Sequence, residues 1–155
     1  MKQPNKPFGI KFIIGFFMFS FVIWTIGQGG AVVAYDVVSA GDVLQPSRDK
    51  VDPVIVEDAR AIGLADMFTM MPLFVIAIIG LLREKLFGYV ASWLVLGITI
   101  YWPIVFLASQ YYYKQASIKY FSADMATVAL LIIIEIIAIW ATIYLYGRWR
   151  TLSKQ

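Results

Sequence analysis

Apolar residues fall along the chain in four long blocks, residues 10–35, 62–82, 86–113 and 125–146, with short polar stretches between them. Each block meets the ~20 residues that a helix needs to cross a ~30 Å hydrocarbon core. Lipid offers no hydrogen-bond partner to a bare backbone, so helices are expected. The continuous apolar runs also lack the alternation of a barrel strand. The pattern predicts an all-α, four-helix transmembrane bundle that forms one integral membrane domain over residues 1–155. The sizeable polar connection is the loop 36–61. Within it "VDPVIVEDARAIG" predicts a short helix, with Asp52 as N-cap and Pro53 as first helical residue. That helix would run along the surface or lead straight into the second membrane helix. Pro72 and Pro103 are expected to kink their helices.

Charge gives the bundle a direction. One side takes the N-terminus, the turn "REK" and the tail "RWRTLSKQ". It carries Lys2, Lys6, Lys11, Arg83, Lys85, Arg148, Arg150 and Lys154 against Glu84, eight minus one, or +7. The other side carries Arg48, Lys50, Arg60, Lys114 and Lys119 against Asp36, Asp42, Asp49, Asp52, Glu57, Asp58, Asp66 and Asp124. Five minus eight gives −3, and Glu135 completes the net +3. The positive-inside rule then predicts that both termini are cytoplasmic and that 36–61 is an outer loop. Aromatic residues mark both interfaces, Tyr111, Tyr112, Tyr113, Tyr120 and Phe121 at one and Tyr144, Tyr146 and Trp149 at the other. The first block also has the basic front and an "AVVA" stretch of a signal peptide. We read it as a retained membrane helix.

Composition agrees and narrows the chemistry. Of the 155 residues 61% are hydrophobic and 15% charged, against about 45–50% and about 25% in soluble domains. Cysteine and histidine are both absent. That removes disulfides, thiolate chemistry, zinc sites of the usual kind, His-ligated haem and His-based acid–base catalysis. No catalytic residue, metal or cofactor is expected, and no basic run or aromatic–basic module suggests nucleic acid. The acids of the outer loop fit no EF-hand spacing and are read as solvated charge.

One residue resists the pattern. Glu135 interrupts "LLIIIEIIAIW" roughly 15 Å from either end of its helix, near the bilayer midplane. A charge there costs a few kcal/mol even on lenient insertion scales, so a protonated, inward-facing acid is expected. Helical spacing puts Asp124, Val128, Leu131, Ala138, Thr142 and Tyr146 on its face. The third block has a matching stripe of Ser92, Thr99, Pro103 and Gln110. Thr99 lies at the depth of Glu135 and is the expected hydrogen-bond partner. In the second block Asp66, Thr69, Ala77 and Gly80 share a face. In the first, Gly27 with Ala31 and Gly30 with Ala34 permit close helix contact. The candidate intramembrane polar site is therefore Glu135, Thr99, Gln28 and Thr142, with Asp66 and Asp124 as candidate outer-mouth carboxylates. Asp66 reads equally as a helix-start residue that satisfies backbone N–H groups. Glu135 itself reads as interhelical glue, as a proton- or cation-binding site, or as a contact to a partner subunit.

The stretch "GLADMFTMMPLFVIAIIGLLREKLFGYV" carries Ala65, Asp66, Pro72, Arg83, Phe87, Gly88 and Tyr89. These resemble the A-D, proline, arginine-turn and aromatic-Gly-Tyr pattern of small bacterial four-helix integral membrane proteins. The resemblance spans 28 of 155 residues and implies a class and no activity. The expected function is a non-enzymatic scaffold or accessory subunit in the plasma (inner) membrane of a prokaryote. The alternative is a proton- or cation-coupled transporter or channel subunit, working as a homo-oligomer with Glu135 as its midplane site. The bilayer, a further copy of the chain or a membrane partner subunit would be its contacts.

Overall fold

The structure is a computed structural model that describes residues 6–42 and 44–152. Lys2 and Lys154, both in the charge count, lie outside these residues. Every regular element among the described residues is helical, and four helices are long and apolar enough to cross a membrane: Phe8–Val33, Pro53–Leu82, Leu86–Gln115 and Met125–Thr151.

The first span is not one regular helix. α1 (Phe8–Trp24) widens into a π turn over Thr25–Gly29 and tightens again as α2 (Gly30–Val33). A break at Ala34 leads to a single turn, α3 (Tyr35–Val38). The second span begins earlier than the hydropathy predicts. The Asp52 side chain accepts from Val54 N–H at 3.0 Å, and Pro53 opens α4 (Pro53–Phe68). The segment expected as a short loop helix is thus the first part of the second span. Its charged residues interrupt the apolar pattern but not the hydrogen-bonded ladder. The helix breaks at Thr69 before α5 (Met70–Leu82). Pro72 supplies the reason, since it lacks an N–H and its ring crowds the carbonyl four residues back.

α6 (Leu86–Gln115) runs through Pro103 and ends two residues past the apolar block. α7 (Met125–Leu152) continues well beyond residue 146 and carries Arg148 and Arg150 on its last turns. Polar residues end an apolar block without ending a helix.

The tightest contact joins α5 and α6 across "REK". Gly80 and Gly88 face each other so closely that a Cβ on either would overlap the other's backbone. The turn closes with Lys85 N–H on the Gly80 carbonyl (2.9 Å) and Glu84 N–H on that of Leu81 (3.2 Å), while Glu84 takes φ 50. This is a Schellman closure with a glutamate where glycine is usual. From there a core of Ile13, Phe17, Phe74, Leu81, Tyr89 and Leu96 extends up the bundle, each of them 0% exposed. Ala138, Ala141 and Leu145 bring α7 onto it. Without a hydrophobic drive between helices in lipid, such close packing is what holds them together.

At the opposite end the loop packs as a second cluster of Ala31, Tyr35, Val51 and Val56. Tyr35 donates to the Pro46 carbonyl at 2.9 Å, and Arg48 covers its ring while pairing with Asp36 at 2.7 Å. Asp42 holds the Ser47 N–H, the Ser47 hydroxyl and Lys50. Lys119, in the α6–α7 connection, is joined to the loop by Asp52 N–H on its carbonyl (2.7 Å) and by its ammonium on the Asp49 carbonyl.

Candidate functional site

The polar positions inside the bundle sort into two places, a cavity at the loop end and an isolated acid part-way along α7. The cavity has a volume of about 280 Å³. It lies between the π turn, the first turns of α4, the last third of α6, the start of α7 and the loop. Trp102, Phe106 and Tyr113 wall it from one face of α6, at spacings of one turn and two.

Two glutamines give this cavity its polarity. Gln110 is fixed: its Oε1 accepts from Ala123 N–H at 3.1 Å, so its NH₂ is the free end. That Nε2 is buried and has no partner. Gln28 sits in the π turn, and its Oε1 is likewise buried without a donor. The backbone around Gln28 is shaped by Gly63 of α4, where an added Cβ would lie 2.5 Å from the Gln28 carbonyl oxygen. Gln45 of the loop reaches the neighbouring Gly27 carbonyl at 3.5 Å. An unpaired buried amide costs about 1–3 kcal/mol, so two at one cavity are a standing demand for a partner.

Glu135 stands apart. It is half-buried on the α7 face that also carries Leu131, Ala138 and Thr142, the face expected for it. Tyr146 and Asp124 do not share that setting, since both are exposed. The Oε2 of Glu135 is buried and unpartnered. The expected bond to Thr99 is not formed. The Thr99 hydroxyl, 5% exposed, donates to the Val95 carbonyl at 2.8 Å, and the Thr142 hydroxyl to that of Ala138 at 2.9 Å. A threonine in a helix has a carbonyl of its own previous turn within reach and needs no neighbouring helix. The four residues expected to form one polar site therefore do not converge. Gln28 faces the cavity, both threonines bond locally and Glu135 is alone.

The two outer-mouth candidates also have other partners. Asp66 lies well inside the helical span that starts at Pro53, so it does not begin a helix. Its Oδ2 accepts from Trp24 Nε1 at 2.8 Å and ties the second span to the end of α1. Trp24 in turn stands in an aromatic cluster with Phe74 and Trp102. Asp124 is exposed and accepts from Thr127 N–H at 2.7 Å as the cap of α7. The Thr127 contact holds its carboxyl below the usual range. Sequence reasoning missed the Trp24–Asp66 bond and the pairing of Gln28 with Gln110 at one cavity. A signal for the second was present, because Gln110 stands on the polar stripe of its helix and Gln28 near the end of the first block. Comparison of the chain with protein-family models, with curated proteins and with solved structures finds no match.

Proposed function

We propose that this chain is a non-enzymatic scaffold or accessory subunit of a prokaryotic plasma membrane, with both termini cytoplasmic. The observation that supports this reading is the closed layer on the side of Glu135 away from the cavity. Thr127 lines the cavity, and Glu135 follows eight residues later, about 12 Å along the helix. Thr99 and Glu135 do not line the cavity, and Phe17, Phe74, Val95 and Ala138 on four helices are 0% exposed. A carrier or channel within one protomer needs a wet path through that layer. α7 is also the least covered span, 17% of its apolar window being buried against 28–33% in the others. It is the face on which a membrane partner would pack.

The test is reconstitution beside purification. In liposomes the protein should add no proton or cation flux to that of protein-free vesicles, and in mild detergent it should co-purify with an integral membrane protein at fixed ratio. Flux that is lost in Glu135→Gln would overturn the scaffold reading. That variant should fold within about 0.5 kcal/mol of the parent, since an amide keeps the shape of the acid. Reporter fusions at Arg83 and Gln155 should read cytoplasmic and one at Asp49 exterior.

A second reading has its own support. The buried, unpartnered Oε2 of Glu135 is what a proton- or cation-binding site at the midplane offers. In that reading a homo-oligomer builds the wet path between protomers, and the flux assay decides for it.

A further inference from the structure

We infer that the loop-end cavity is a binding site for a small uncharged amphiphile, an apolar body with a hydroxyl or carboxamide head. The inference goes beyond the scaffold reading and does not depend on it. At about 280 Å³ the cavity is close to the lower edge of the range for small-molecule pockets, ~300–1,000 Å³. Its wall and its polar groups have the usual division of labour in such pockets. Trp102, Phe106 and Tyr113 present flat apolar surface, and a small number of polar groups fix orientation.

The head group follows from what is unpaired. The buried Gln110 Nε2 has a proton to give and no acceptor; the buried Gln28 Oε1 has lone pairs and no donor. A hydroxyl or a primary amide does both, accepting from Gln110 and donating to Gln28. An ammonium head has no lone pair for Gln110, and a carboxylate has no proton for Gln28. Charge on the lining points the same way for anions. Among the described residues no lysine or arginine lines the cavity, whereas Asp42 and Asp58 do. Asp42 is neutralised by Lys50. Asp58 is exposed and has no ion-pair or hydrogen-bond partner among the described residues, so water solvates it and a cation gains little there.

The experiment is photolabelling of the full chain in nanodiscs with three diazirine-bearing probes of one chain length, an alkanol, an alkylammonium and an alkanoate. Labelled residues are mapped by mass spectrometry. The alkanol should label Trp102, Phe106 or Tyr113 saturably and in preference to Ile132, Ile136 and Ile143, which are exposed on α7. Gln28→Leu should weaken that labelling about two- to tenfold, the loss of one net hydrogen bond. Gln28 makes no side-chain bond among the described residues, so this variant keeps the fold, and Gln110→Leu serves as the second. Labelling spread evenly over α7 and the cavity would mean partition into lipid and overturn the site. Stronger cavity labelling by the ammonium or the carboxylate would overturn the ligand class, as would alkanol labelling unchanged in both glutamine variants.

Discussion

The two ends of this bundle pack their helices in opposite ways. Around the α5–α6 turn the backbones of Gly80 and Gly88 touch, and Phe74, Leu81 and Tyr89 leave no space between helices. At the loop end α6 instead borders a cavity of about 280 Å³ with α4, α7 and the loop, and two buried amides are left unpaired there. The closed end packs backbone on backbone, and it too buries polar atoms without a partner, Tyr89 Oη and Arg148 Nε. The open end differs in leaving space beside its unpartnered amides, and natural proteins keep such features where a ligand or partner uses them. Rigidity and function are thus divided along the bundle axis.

The sharpest way to break the closed end is a single methyl. Gly88→Ala puts a Cβ into the Gly80 backbone, which has no side chain to swing aside. Overpacking of this kind costs 1–3 kcal/mol where side chains can yield. Here the loss should be about 3 kcal/mol, the upper end of that range, read from unfolding in a denaturing detergent titration. A change under ~0.5 kcal/mol would show that the α5–α6 contact is loose.

The open end predicts a difference in sign between two residues of one kind. Gln110→Ala removes the acceptor of Ala123 N–H and should cost about 1–3 kcal/mol, the penalty of an orphaned backbone donor. Gln28→Leu removes a group that bonds nothing and should stabilise by about 0.5–1 kcal/mol. The same unfolding titration checks both. Equal losses would mean that Gln28 has a structural partner and that the cavity is less open than its lining indicates.

How much of this was legible in the sequence follows the same axis. The four spans were, because twenty apolar residues in lipid have one good conformation. The cap at Asp52 and Pro53 was, because capping is chemistry within three residues. The span ends were not. Glu57, Asp58 and Arg60 stop the apolar pattern of the second block, while α4 runs through them. The stripe of Glu135 divides in the fold, with Ala138 buried, Leu131 and Thr142 half-buried and Asp124 and Tyr146 exposed. The partner of Glu135 was not legible, since the Thr99 hydroxyl has a local carbonyl to use and depth alone does not bring two side chains together. The π turn at "TIGQG", which places Gln28, departs from the 3.6 period on which every stripe argument rests.

The smallest effect sought is the acid response of the loop that closes the open end. Lys50 beside Asp42, with the Ser47 N–H and hydroxyl, lowers the Asp42 pKa from 3.8 to about 2. The depressed value means that the folded loop favours the ionised form. Its contribution is therefore whole above the ordinary value near 4 and fades as the pH falls toward 2. Asp42 is partly covered, its side chain 15% exposed, but its partners Ser47 and Lys50 both belong to the loop, so the loop should loosen without unfolding the bundle. Pepsin cleavage between residues 36 and 52, corrected with an unfolded substrate for the protease's own pH profile, should be flat from pH 5 to 4 and rise from 4 to 2. Asp42→Asn should be cleaved quickly at every pH and lack the step. The α5–α6 turn should show no cleavage in that window, because the Gly80–Gly88 backbone contact closes it and the Glu84–Arg148 pair beside it, at 3.8 Å and partly exposed, adds little. A step of equal size in Asp42→Asn would move the acid-sensitive contact to another carboxylate of the loop.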